Sequence, residues 1–284
     1  MKLQRAMKTH GTLFTRVLLL SFYLILCFQL NAQEIIKVKN AKGDGVIAGR
    51  ISFEDARNEA INKAKVDALR KAGISEHIAS YEQLYRSELN NDFAEFFNSD
   101  IQTELQGAIK EYTVVNQETT TDPLTKLPSI EVTIDATVIK YSTRPDPTFN
   151  VKVEGIKQVY EVGEHLSFTI FSTQNCYLNI FAIADDYTCL LYPNQELKEV
   201  FTEIPAQQKV SFPFRPDLND YELYKDSKKP EVNRIVLVFT KKPVQYLNHS
   251  GGYDQFTSSE SIFSWIYGLT PDERKVAYQV FTLR

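Results

Sequence analysis

The residues equipped for chemistry in this chain are few and scattered. Beyond residue 32, histidine occurs at His77, His165 and His249, none with a second histidine or a cysteine at metal-ligand spacing, and HExxH is absent. His249-Ser250-Gly251-Gly252 sets a hydroxyl beside an imidazole. A catalytic serine also needs a separately placed base and an orienting group, and no GxSxG turn exists to present one. Asp217, Asn219, Asp220 and Glu222 crowd oxygen ligands together without the glycine and spacing of an EF-hand loop, the pattern of a solvated turn. Gly43, Gly45 and Gly49 lack the GKS/T ending of a phosphate loop and the spacing of GxGxxG, and read as a link. No catalytic, cofactor-binding or metal-binding set emerges. The expectation is a non-enzyme that takes no cofactor, against an alternative in which a site forms at a groove between two domains.

The elements that would have to position any such site are more legible. Ala56, Ala60, Ala64, Ala68 and Ala72 recur every four residues, with Phe53, Ile61 and Leu69 on or beside the same stripe. That is a helix laid closely on a sheet. Ser52 with Asp55 three residues on marks its start, and Gly73 its end. A short strand over Glu34–Lys39 precedes it, and Ile78, Tyr81, Leu84 and Tyr85 suggest a further helical piece. Asp92–Leu105 reads as an amphipathic helix carrying Phe93, Phe96, Phe97 and Ile101. Ile109–Gln117 and Ile130–Tyr141 alternate as a half-exposed antiparallel pair, joined by the polar loop Glu118–Leu127.

Arg144-Pro145-Asp146-Pro147 is a linker, since its prolines continue neither helix nor central strand. Beyond it come short β runs: Phe149–Val153, Leu166–Phe171, Tyr177–Ala184, Thr188–Tyr192, Gln208–Phe214 and Arg234–Lys241. Ile235–Phe239 is apolar at every position and predicts a central strand buried on both faces. A last helix, Ser258–Leu269, carries Trp265 as a packing anchor, and Lys275–Leu283 closes the chain as a strand. The expected fold is α+β: helices on a small antiparallel sheet over 33–143, then a mainly-β, sandwich-like domain over 146–284. Each half carries its own complete set of apolar faces, and neither is expected to need the other to bury them. Cys176 and Cys189 fall roughly 20 Å apart on neighbouring strands at ~3.3 Å per residue, beyond disulfide reach, and are expected as free, buried thiols.

Residues 1–32 read as a secretory signal peptide. Lys2, Arg5, Lys8 and Arg16 precede an apolar run from Val17 to Leu30, and Ala32-Gln33 offers a small residue at the cut. That run is shorter than the ~20 residues a membrane-spanning helix needs, so the mature chain carries no transmembrane segment. Leu26, not a small residue, precedes Cys27, which belongs to the apolar core of the signal. Removing four of the 32 Lys and Arg leaves 28 against 36 Asp and Glu, a balance of −8. So acidic a chain is a poor partner for nucleic acid or an anionic membrane surface. The expected location is the periplasm, the outer membrane or the cell surface. The expected partner is another envelope protein or a surface ligand.

Two resemblances sharpen this. "ARNEAINKAKVDAL" followed by "GAIKEYTVV" and "IEVTIDATV", over residues 34–140, resembles the N-terminal domain of flagellar assembly protein T and related envelope lipoproteins. That resemblance implies association with outer-membrane structures and no catalysis. From Tyr160 the line "LSFTIFSTQNCYLNIFAIADDYTCLLYPN" and the later "NRIVLVFTKKP" resemble the family called domain of unknown function 4384, over residues 149–245. This implies a β-rich accessory domain of exported and envelope proteins with no established catalytic residues to carry over. Together they describe an exported, non-catalytic envelope protein serving binding or assembly.

Overall fold

The computed structural model describes residues 33–284 apart from 77, 91–104, 185–186, 195–198, 218–220, 227 and 248–255. The signal-peptide reading and the helix read over Asp92–Leu105, apart from Leu105, lie outside the described residues. What is described is a mixed α+β chain with three α-helices and mainly antiparallel sheets. No described helix is long and apolar enough to cross a membrane.

The chain opens with β1 (Gln33–Val46), α1 (Phe53–Lys71), α2 (Ile78–Asn90), β2 (Gly107–Thr121) and β3 (Pro128–Tyr141). The strands form one antiparallel sheet in the order β1-β3-β2. Ser52 starts α1 through a capping box: its Oγ accepts from Asp55 N at 3.1 Å, and Asp55 Oδ2 accepts from Ser52 N at 3.0 Å. Gly73, at φ +79°, turns the chain out of the helix in the left-handed conformation. Ala56, Ala60, Ala64 and Ala68 are wholly buried against the sheet. Phe53, expected near that stripe, is 48 % exposed on the first turn.

The strand expected over 34–39 runs on to Val46, so Gly43 and Gly45 lie inside it and are not a link. The reason is steric. A Cβ on Gly43 would stand 2.1 Å from Ala60 O, and one on Gly45 would stand 1.8 Å from Ala56 O. Small residues on both partners let helix and strand backbones meet. Sequence periodicity misses this because a glycine has no side chain to alternate.

Tyr81 of α2 ties helix to sheet. Its wholly buried hydroxyl accepts from Gln106 N at 2.9 Å and Gly107 N at 3.0 Å, and donates to Gly107 O at 3.1 Å. Burial raises this phenol's pKa despite those bonds.

After the proline pair come β4 (Val151–Glu154), β5 (Val159–Tyr160), β6 (Phe168–Ser172), β7 (Tyr177–Ile183), β8 (Thr188–Tyr192), β9 (Lys209–Phe212), β10 (Glu231–Thr240), α3 (Ser259–Gly268) and β11 (Arg274–Leu283). They make a five-stranded sheet, β5-β11-β10-β7-β8, and a three-stranded one, β4-β6-β9. β10 is central as expected, with Ile235 to Phe239 all buried. Phe168, Ile170 and Phe212 of the smaller sheet share an apolar cluster with Ile180, Leu237 and Phe281 of the larger. Cys176 and Cys189 are free and buried, and Cys189 pairs with Ala182 across the ladder. Burial pushes the Cys189 thiol up to about 11, so it stays protonated and inert near neutrality.

The opposite face of the five-stranded sheet does not end at its own half. Phe181, Val236, Val238 and Tyr278, with Ile262, Phe263 and Ile266 of α3, belong to one continuous cluster with Ala60, Val132 and Ile134. Trp265 packs as expected, its ring centroid 5.6 Å from those of both Phe181 and Tyr246.

Between the halves, Asp146 gathers the linker. Its carboxylate accepts from Lys241 Nζ at 2.6 Å, Gln174 Nε2 at 3.0 Å, Thr148 Oγ1 at 2.7 Å and Thr148 N at 2.8 Å. The Lys241 hydrogen bond, then those from Thr148 and Gln174, hold its pKa well below the usual carboxylate range. A depressed folded-state pKa gives stability that is present above the unfolded value of about 3.9 and is lost as pH falls towards the folded one. Asp146→Asn should therefore melt earlier than wild type at pH 7, and the gap should narrow between about pH 4 and 2. Thermal melts across that range check it; a gap that does not change with pH contradicts the assignment.

Candidate functional site

A concavity lies where α3 meets the first sheet. A bulge between Ile109 and Glu111 shifts the register of β2 against β3. Ser264 Oγ of α3 donates to the Lys110 carbonyl at 2.7 Å. On one side of that strut a cavity of about 380 Å³ is lined by Lys65, Leu84, Tyr85, Ala108 to Tyr112, Glu260 and Tyr267. On the other a cavity of about 270 Å³ is lined by Leu247, Ser261, Trp265, Gly268 and Leu269, and shares Lys110, Glu111 and Ser264. The two form a groove assembled from α1, α2, β2 and α3.

Lys65 is its most constrained charge. The side chain is 8 % exposed, with Nζ 3.8 Å from Glu260 Oε1, 4.7 Å from the Tyr112 ring centroid and 5.1 Å from that of Tyr85. Aromatic faces and a carboxylate replace part of the hydration that burial removes. Glu111 is engaged as well: its Oε1 accepts from Thr137 Oγ1 at 3.0 Å. Ser264 commits its proton to a backbone carbonyl, so it serves as a spacer. The groove thus offers aromatic edges, hydroxyls and mutually paired charges, a surface suited to holding a ligand.

The walls are fixed by an unusual capping of α3. Arg274 Nη1 donates to the carbonyls of Ile266 and, at 2.7 Å, of Leu269. Tyr141 Oη donates to Tyr267 O at 2.7 Å, and Gln33 Nε2 to Gly268 O at 2.7 Å. Four successive carbonyls at this helix end, Ile266 to Leu269, thereby take side-chain partners from β11, β3 and β1, the first of them also accepting from Leu269 N at 3.1 Å. Arg274 also lies over the Tyr141 and Tyr267 rings, at 5.4 and 5.2 Å. Burial raises the Tyr141 pKa, and the nearby guanidinium partly offsets this. Thr143 Oγ1 adds a bond to Asp272 at 2.7 Å.

No family model and no curated protein matches this chain. The site is accordingly read from its own geometry.

None of the described residues that sequence singled out for chemistry lines this groove. His77, His249, Ser250, Gly251, Gly252, Asn219 and Asp220 lie outside the described residues. His165 pairs with Glu222 through a backbone bridge in the second half. Asp217 is held by Arg215 in a two-pronged contact at 3.1 and 3.0 Å. Among the described residues, no three His, Cys, Asp or Glu side chains come together as a metal site. Lys65, Tyr85, Tyr112, Glu260 and Ser264 escaped the sequence. One signal was present: Lys65 sits midway between Ile61 and Leu69 on a buried i, i+4 row, where a charge demands a partner.

Proposed function

We propose that this is an exported, non-catalytic binding or assembly module of the cell envelope, with its ligand or partner seated in the groove between β2 and α3. The proposal divides the chain near the proline pair, into an α+β part over 33–143 and a sandwich-like accessory part over 146–284. The leader-like first 32 residues support export. The observation that carries the binding role is the groove itself. Its walls come from both parts, and side chains from three strands clamp one wall in place, so the surface is preformed. Preorganised walls spare a ligand the cost of ordering them.

The test is a cross-linking pull-down from envelope extracts, with Ser264→Trp filling the groove at the strut. A partner captured by wild type and by the remote control Gly49→Ala, but lost from Ser264→Trp at unchanged melting temperature, supports the assignment. Undiminished capture by the filled variant removes the groove from the function.

A further inference from the structure

A glutamine that begins a chain carries its own electrophile. Its α-amine, of pKa about 7.7–8.0, is partly neutral near neutrality and can close a five-membered ring onto the side-chain amide carbon. The α-nitrogen bonds to Cδ, the bond from Cδ to Nε2 breaks, and Nε2 leaves as ammonia. The product is a pyroglutamate lactam with no charge at its N-terminus, and no oxidant or cofactor takes part. The export reading cuts this chain after Ala32, which makes Gln33 that first residue. In the folded protein the same amide is already engaged. Gln33 opens β1 opposite Tyr141 of β3, and its Nε2 donates to Gly268 O of α3 at 2.7 Å. Both residues are half-buried.

We propose that Gln33 is a modification site gated by the fold: undocked it closes to pyroglutamate, and docked on α3 it stays a glutamine. This rests on the export reading, which supplies the free α-amine. Closure needs the side chain folded back onto the α-nitrogen, and it needs Nε2 to gain a proton as it leaves. The bond to Gly268 opposes both, because it ties the amide to another element and commits an Nε2 hydrogen to a carbonyl. The acceptor is itself held still. Tyr141 Oη donates to the carbonyl before it, and Arg274 Nη1 to the carbonyl after it. The exclusion also runs the other way. A lactam has no Nε2, so a chain that closes before folding leaves Gly268 O without this donor and the groove wall with one pin fewer.

Mass spectrometry of the first peptide tests this. In the exported protein that peptide should begin at residue 33. Mature chain released by a protease that cuts before Gln33 is then held at about pH 8, folded or in guanidinium chloride, and followed for loss of one ammonia. Closure in the folded sample should be slower by about tenfold or more, because it must wait for local opening. Arg274→Met, which frees carbonyls beside Gly268, should close several-fold faster than wild type at a temperature where circular dichroism shows both folded. Tyr141→Phe takes its place if that variant does not fold. The lactam form, once refolded, should melt a few degrees below the open form, as expected for one lost hydrogen bond. Equal closure rates in folded and unfolded samples overturn the proposal, and so does a lactam form that melts with the open one. A first peptide that begins elsewhere overturns it together with the export reading. Binding in the groove is judged separately, by the Ser264→Trp capture.

Discussion

Gly45→Val is expected to melt well below the wild-type protein, because the side chain has nowhere to go but into the backbone of α1. Its Cβ alone would lie 1.8 Å from the Ala56 carbonyl oxygen and 2.7 Å from the carbonyl carbon. The obstacle is a helix main chain, not the mobile end of a side chain, so relief requires α1 to withdraw from β1. Withdrawal opens gaps around Ala60, Ala64 and Val38, which are nearly or wholly buried. Overpacking typically costs about 1–3 kcal/mol and occasionally more, and a clash with backbone belongs at the upper end. At about 2–4 °C per kcal/mol for a chain of this size, the melting point should fall by roughly 6–12 °C. Ala64→Leu presses on the same contact from the helix side and should fall in the same direction. Gly49→Ala is the control: its φ of +61° makes substitution mildly strained, but nothing lies within 4 Å. If Gly45→Val melts with wild type, α1 does not rest on β1.

The second large effect belongs to Arg274. Replacing it with methionine keeps an apolar stem of similar length and removes the guanidinium that satisfies the Ile266 and Leu269 carbonyls. Hydrogen bonds to a charged group contribute about 1.5–3 kcal/mol each; without the guanidinium Ile266 O retains only its bond from Leu269 N, and Leu269 O loses its side-chain donor. A loss of about 3–5 kcal/mol in denaturant titration is the expected outcome. Both bonds come from the one nitrogen Nη1, so the ammonium of Arg274→Lys should recover part of it, the remainder being lost with the planar group that lies over the Tyr141 and Tyr267 rings. Tyr141→Phe should cost less than either, because it removes one donor to Tyr267. Equal stabilities for the methionine and lysine variants would show that a charged donor at this position contributes nothing.

How much of this could be read beforehand depends on whether an element reports on itself. α1 did, through its alanine period and both caps; β10 did, through five consecutive apolar residues that only a central strand can bury. The ends of β7, β8, α3 and β11 fell within a residue or so of their expected positions. β2 runs four residues past its expected end because Glu118 to Thr121 are exposed on both faces. A strand edge that buries neither face shows no alternation. The glycines in β1 stayed hidden for the related reason that an absent side chain leaves no period. The groove was out of reach altogether. Lys65, Lys110 and Ser264 are spread along nearly the whole described chain, and only folding makes them neighbours. Each half was expected to bury its own apolar faces, but those on α3 and on one side of β10 are covered across the proline pair. Composition shows that a face exists without showing what covers it.

The capping of α3 also sets a timetable. The bond from Gln33 to Gly268 closes a separation of 235 residues, that from Ser264 to Lys110 one of 154, and that from Tyr141 to Tyr267 one of 126. Contacts this distant along the chain form late, because the loops they close must be ordered first. A polypeptide emerging from its N-terminus can pair β1 with β3 and lay α1 upon them while residue 268 has yet to appear. During that interval the Gln33 amide and the Tyr141 hydroxyl have no helix end to bind, and half of the groove has no wall. Synthesis must pass Arg274 before the final carbonyl can be claimed. Any stall, nick or premature stop upstream of that point yields a chain with a finished sheet and no groove.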